Sequence, residues 1–264
     1  MADRSKMKLG RKAVKADSRT LKLAAYLTAA LPAPPPSVDW TQGVTAWGMM
    51  LNGPDPSNPS NCPDGLGDCT IAGCGHAIQV WTLNTGAMFT MPNNVIEGAY
   101  SAWDGYVPGD PSTDQGGIEL DVLKDWKSNR RGFFRQHPLL AFADPAVANQ
   151  TEIMQSINLF GGLYIGMNVP SYIMGDSIPQ VWDVPTAGQD ASIDGGHCVF
   201  CVGYDSEGVT FISWGAVYKM TWAFWSQFVD EAHALVGKNW LDAQGFDPQG
   251  FNLAQLQADL ASIV

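Results

Sequence analysis

Gly67-Asp68-Cys69-Thr70-Ile71-Ala72 opens an apolar helical pattern, and Gly195-Gly196-His197-Cys198-Val199 opens a β-like run in the second half of the chain. A helix start presents unpaired N–H groups and a dipole that stabilise negative charge, so a cysteine there is predisposed to ionise. A neighbouring imidazolium strengthens the effect, and the two side chains then form a thiolate–imidazolium pair that is nucleophilic near neutral pH. A helix from one half of a chain meets a strand from the other across a cleft. The two motifs therefore predict a body of two lobes with a substrate groove between them.

Further segments give the pair a context. Pro36-Ser37-Val38-Asp39-Trp40, followed by Gly43-Val44-Thr45, resembles the start of the mature chain in papain-family cysteine peptidases, and Gly67-Asp68-Cys69 sits where that family has Gly-Ser-Cys. Gly116-Gly117 is similar to the glycine pair lining its cleft. Gly195-Gly196-His197 with Val202-Gly203-Tyr204-Asp205 resembles its histidine strand, and Ser213-Trp214-Gly215 its Asn-Ser-Trp-Gly segment. The resemblance implies an α+β, papain-like two-lobed fold with the helical lobe first and the β-rich lobe second. It also implies Cys69 as nucleophile, His197 as its acid–base partner, and Gly116, Gly117, Gly196 and Trp214 as substrate-binding positions.

On this reading residues 1–35 are a basic arm and proline-rich connector, and 36–264 the papain-like domain. Within that domain a helical lobe runs to about 145, a β-rich lobe from about 146 to 220, and C-terminal helices from about 221. Thr70 to Trp81 has helical spacing of Ile71, Cys74, Ile78 and Trp81; Pro92 to Trp103, Ile118 to Trp126 and Glu152 to Phe160 read as helices too. Gly162 to Val169, His197 to Tyr204 and Val209 to Trp214 read as strands. Thr221 to Val236, with Trp222, Trp225, Phe228, Val229, Ala232 and Leu235 on one side, predicts an amphipathic helix beyond the family pattern. Leu253 to Ile263 predicts a last short one.

Charge is distributed unevenly. The net charge of −11 divides into +6 on residues 1–22, with eight Lys/Arg and two acids, and −17 on the rest. An acidic body is a poor nucleic-acid binder; the arm is expected either to pack on that body or to dock an acidic partner or assembly, with attachment weakening as salt rises, and an inhibitory prosegment stays open as the alternative to an anchor. Leu23, Leu27 and Leu31 recur like one face of a short helix, favoured over a signal peptide. No apolar run reaches the roughly 20 residues that span a bilayer, so no membrane role is expected. The five cysteines (62, 69, 74, 198 and 201) cannot all pair, and an intracellular or assembly-associated setting with reduced thiols is expected. Cys198 and Cys201 point to opposite faces of a strand, and neither a metal nor another cofactor is expected.

Several residues compete for chemistry. His76 lies seven residues along the same helix from Cys69, roughly 10 Å away, too far to be its base. The family places an asparagine before Ser-Trp-Gly to orient its histidine; here that position is Ile212, and a one-residue shift of register presents Ser213 instead. The family's glutamine oxyanion donor corresponds to Pro63, leaving Asn61 and Asn52 as amide donors beside the Cys69 N–H. Asp68 is an N-cap candidate whose carboxylate opposes ionisation of the thiol. Two readings stay open: a cysteine hydrolase acting on peptide or isopeptide bonds of a peptide or protein substrate, or a catalytically degenerate relative with a binding or structural role.

Overall fold

The computed structural model describes residues 7–28, 33–53, 65–175, 177–244 and 251–263. The helical side starts with α1 (Cys69–Leu83), followed by α2 (Asn93–Asp104) and α3 (Glu119–Lys127). Residues 69–82 of α1 are all buried, which explains why this helix is mostly apolar and carries no acidic residue in its first turn or basic residue in its last. α2 stops at Gly105, whose φ of 84° is the left-handed conformation glycine adopts without strain. α3 instead sets Glu119 and Asp121 in its first turn and Lys124 and Lys127 in its last, complementing its dipole.

The strands are β1 (Val38–Asp39), β2 (Leu139–Ala143), β3 (Leu163–Pro170), β4 (Val181–Trp182), β5 (Ile193–Tyr204), β6 (Gly208–Ser213), β7 (Ala216–Thr221) and β8 (Val229–Gly237). Among the described residues they form one sheet in the order β2-β8-β3-β5-β6-β7-β4, with β1 paired to the end of β5. α4 (Gln150–Phe160) precedes β3, α5 (Trp222–Phe228) precedes β8, and α6 (Lys238–Gln244) and α7 (Leu253–Ile263) close the chain. α1 packs against the sheet through Trp81, which meets Trp126 and Phe200 with ring centroids 6.0 Å from each. Its indole N–H donates to the Phe160 carbonyl at 2.8 Å, so the polar atom of this buried ring is satisfied.

Three expectations about elements need correction. Thr221 to Val236 is not one helix: α5 ends at Phe228, Val229 turns extended (φ −85°, ψ 126°), and β8 follows. β8 lies between β2 and β3 with every residue but Asp230 buried, so it lacks the alternation of a half-exposed strand, and its buried Glu231 and His233 are held by ion pairs. The C-terminal helical segment therefore begins at Lys238. β2 also lies within the stretch read as the helical lobe, yet pairs with β8 at the sheet edge. In the arm, Leu23–Ala25 forms a single 3₁₀ turn and Leu27 is not helical, while Leu31 of the expected helix lies outside the described residues.

Candidate active site

Cys69 is the first residue of α1, and the amides of Ile71 and Ala72 both bond the Asp68 carbonyl that precedes it. Its sulfur accepts the Cys198 backbone N–H at 3.4 Å and lies against the N–H of Gly10. The thiol is nevertheless fully buried, and burial pushes its pKa up to about 12 against those two N–H contacts. Asp68 does not cap the helix. Its carboxyl accepts the Asn52 amide at 2.5 Å, its other oxygen is buried without a partner, and burial raises its pKa well above the usual carboxylate range. A neutral acid suits that environment better than the expected capping carboxylate.

His197 lies on β5 next to Cys198, and its Nε2 is 2.7 Å from Ser213 Oγ at the end of β6. Its Nδ1 is buried with no hydrogen-bond partner. Trp214 stacks on the imidazole at 4.4 Å between centroids and 16° between planes. The backbone at Trp214 (φ 45°) and Gly215 (φ 75°) makes the tight turn into β7 that places that indole. Ile212 pairs with Phe200 and Val217 and is buried, so it takes no part in orienting the ring. Burial foremost, then the nearby charges of Arg11 and His76, lower the His197 pKa to about 3. Burial thus disfavours the charged form of both thiol and imidazole in this state, against the ionisation that the motifs lead one to expect.

The arm lies in the cleft beside this pair. Gly10 and Arg11 donate their N–H groups to the Gly196 carbonyl at 3.1 and 2.9 Å; Gly117 N–H donates to the Gly10 carbonyl at 2.9 Å, and Lys12 N–H to the Gly117 carbonyl at 2.8 Å. Arg11 is bridged in parallel to Gly117 and antiparallel to Gly196, making the arm a short strand shared by both sides of the cleft. Gly116 turns beside it at φ 74°, its N–H donating to Tyr100 Oη at 2.8 Å. A Cβ at residue 10 would overlap the Gly67 carbonyl, so only glycine passes that close to the nucleophile. Trp214 Nε1 donates to the Lys8 carbonyl at 3.4 Å, and Lys8 Nζ bonds Asp114 at 2.9 Å.

Beside Gly10, the Arg11 side chain enters a pocket formed by Glu119 of α3 and by Asp230, Glu231 and His233 of β8. Burial and the Glu231 charge raise Glu119 to about 8, opposed by His233 and Arg11. Burial lowers the His233 pKa, but hydrogen bonds to Asp144 (2.6 Å) and Glu231 (3.1 Å) outweigh it and carry the ring to about 10. Glu119, Glu231 and His233 bring ligand-type atoms within 4.8 Å of one another, and the Arg11 guanidinium supplies positive charge at that place.

Of the two amides considered as oxyanion donors, Asn61 lies outside the described residues. Asn52 is corrected: its amide nitrogen donates to the Leu66 carbonyl (3.2 Å) and to Asp68, committing both hydrogens away from Cys69. Sequence reasoning missed the acidic pocket because Asp230, Glu231 and His233 were placed on a helix. Packing of the arm on the acidic body is among the expectations, but its contact points, Gly10 and Arg11 in the cleft, carry no sequence signal beyond a glycine followed by arginine in a basic segment facing a −17 body.

The two-sided cleft and the buried Cys69 and His197 can be compared with solved structures. Xylellain, a cysteine protease from Xylella fastidiosa, superposes with a TM-score of 0.65 at 16% identity, over 88% of this chain and 96% of its own. The fold is that of the papain-like cysteine proteases. Digestive procathepsin L 3 of Tenebrio molitor larval midgut matches at a TM-score of 0.54 and 12% identity, over 84% of this chain and 75% of its own. Procathepsin B S9 from Trypanosoma congolense matches at 0.53 and 8% identity, over 89% and 87%. No family model and no curated protein matches the sequence.

Proposed function

We propose that the chain is a cysteine hydrolase of peptide or isopeptide bonds, held latent by its own arm. The observation that carries this reading is the His197 ring: Nε2 lies on Ser213 while Nδ1 is unpartnered, and the next residue's N–H touches the Cys69 sulfur. With Ser213 holding Nε2–H, Nδ1 is the basic nitrogen available to take the thiol proton. Cys69 sulfur then adds to the carbonyl carbon, and the oxyanion is met by the Cys69 N–H at the start of α1. Collapse breaks the C–N bond as His197 returns the proton to the leaving amine. Water, deprotonated by the same imidazole, releases the acid from the thioester and restores the thiol.

Latency follows from the arm. While Gly10 covers Cys69, no carbonyl reaches the sulfur and burial disfavours the charged form of both members of the pair. Procathepsin L 3 and procathepsin B are proforms by name, which supports treating this arm as a covering segment. Docking of the arm to an acidic partner, as the charge distribution suggests, would require it to leave the cleft and would couple docking to exposure of Cys69.

The noncatalytic reading has one observation in its favour, the commitment of the Asn52 amide elsewhere; loss of one oxyanion donor lowers kcat by roughly 10²- to 10³-fold. Hydrolysis of a quenched peptide library by the full-length Arg11→Ala protein separates the two. Turnover that vanishes with Cys69→Ala on the same background supports the hydrolase. A folded Arg11→Ala protein with an alkylatable Cys69 but no turnover supports a binding role.

A further inference from the structure

Glu119 and Glu231 each turn their two oxygens toward different neighbours. Arg11 faces Glu119 Oε1 at 3.8 Å and Glu231 Oε2 at 3.4 Å, whereas His233 Nε2 faces the opposite oxygens, Glu119 Oε2 at 3.8 Å and Glu231 Oε1 at 3.1 Å. Each carboxylate is thus shared, the guanidinium on one oxygen and the imidazole on the other. On the imidazole side one nitrogen and two oxygens lie within 4.8 Å of one another. Donors around a tetrahedral zinc ion, with bonds of about 2.0–2.1 Å, stand roughly 3.3–3.4 Å apart, and the two distances to Nε2 bracket that spacing. The fold supplies the three groups simply: Glu231 and His233 alternate along β8 and share a face, and Glu119 enters from the first turn of α3. Gly166 of β3 pairs with Glu231, and a Cβ there would overlap Glu119 Oε1, so glycine makes room for the carboxylate.

Two further observations separate this cluster from a plain salt bridge. Glu119 is wholly buried and neither of its oxygens has a hydrogen-bond partner, with the Cys198 thiol the only weak donor near it. A buried carboxylate of that kind is unfavourable unless a cation touches it, and Arg11 stands off at 3.8 Å. Asp144, in turn, accepts from His233 Nδ1 at 2.6 Å. A carboxylate on Nδ1 makes that nitrogen the donor, so the neutral ring presents its Nε2 lone pair to the two glutamates; this is the arrangement that orients imidazoles on metal ions. We propose that Glu119, Glu231 and His233 form a binding site for a divalent transition-metal ion of the zinc class, with Asp144 as its positioning residue. The imidazole selects such an ion over calcium or magnesium, which take oxygen ligands, and coordination through Nε2 releases the proton held there. Two carboxylates neutralise a divalent ion or the guanidinium but not both, so the ion and the closed arm oppose each other. The site stands apart from the hydrolase reading, since none of its ligands bonds Cys69 or His197.

The test uses full-length protein carrying Arg11→Ala and Cys69→Ala, in which neither the guanidinium nor the nucleophile competes for the ion. Calorimetric titration with Zn²⁺, and visible spectroscopy with Co²⁺ as its coloured substitute, are expected to show one saturable ion per chain that Ca²⁺ and Mg²⁺ do not displace. Asp144→Asn should weaken Zn²⁺ binding about 10- to 100-fold and shift the Co²⁺ absorption, with Asp144→Glu recovering part of both. Glu119→Gln and His233→Gln should each weaken binding further still, and the near-isosteric Glu119→Gln carries the test if His233→Gln does not fold. Restoring Arg11 should weaken the ion about 5- to 150-fold, the reciprocal of its hold on the arm. No saturable binding by protein shown to be folded by circular dichroism overturns the site. So does an affinity unchanged by Glu119→Gln and His233→Gln, or one indifferent to Arg11, because the ion then lies elsewhere.

Discussion

Arg11→Ala should open the cleft, and the size of the effect follows from what the side chain leaves behind. The guanidinium is almost wholly buried among Asp230, Glu231 and Glu119. Removing one partner of a buried ion pair is unfavourable by about 3–5 kcal/mol, because the remaining charge stays desolvated. Two features favour the lower end: Asp230 is about one-third exposed, and Glu119, already raised to about 8, can protonate once the cation is gone. About 3 kcal/mol corresponds to a roughly 100-fold shift from closed to open arm. Iodoacetamide labelling read by mass spectrometry follows it directly, since Cys69 is sealed in the closed state and Cys74 and Cys201 are buried elsewhere as internal references. Cys69 labelling should accelerate about 100-fold while the references stay slow, and Arg11→Lys should fall between wild type and Arg11→Ala. A folded Arg11→Ala protein whose Cys69 rate changes less than about threefold would refute the view that this residue locks the arm. A parallel rise at all the cysteines would assign the effect to global loosening.

Gly10→Ala should expose Cys69 comparably without touching the acidic pocket, because the new Cβ overlaps the Gly67 carbonyl; hydrogen exchange at Gly117 N–H, now bonded to Gly10, reads the release. Ser213→Ala, assayed in the arm-released protein, should lower kcat about 10- to 100-fold with little change in KM, since it frees the imidazole rather than a binding contact. His233 has a raised folded pKa, so its ion pairs contribute fully below the unfolded value near 6.5, and that contribution is lost as pH rises through about 10. The stability difference between wild type and His233→Gln, from urea melts, should therefore be largest at pH 6 and shrink by pH 10. Ile212→Asn should destabilise the fold by roughly 1–3 kcal/mol and give no gain in turnover, because the amide would be buried in the sheet away from His197.

The fold was legible where residues are tied to a local backbone demand. α1 is readable from its spacing, and β5 from a glycine pair and a run of apolar residues. β8 was not, because a strand covered on both faces loses the alternation that separates strand from helix. Cys69 and His197 stand out by context, whereas their burial depends on tertiary packing, including the approach of Gly10, distant in sequence and without a side chain. Salt sensitivity of the arm was likewise expected from net charge. Its exposed pairs, Lys15 with Asp121 and Lys22 with Asp144, are screenable, but the buried Arg11 cluster is screened far less.

The arm is joined to the body it covers, and that connection sets how inhibition responds to dilution. An attached segment competes at an effective concentration on the order of millimolar, whatever the protein concentration. Added peptide must therefore overcome a tethered competitor, and dilution alone never relieves it. Ala13, Val14, Lys15 and Ala16 form an exposed stretch just beyond the rungs. A single cut there turns the segment around Arg11 into a separate molecule with a finite dissociation constant. From then on, inhibition fades as the solution is diluted, and one peptide bond decides whether latency is a property of the chain or of its concentration.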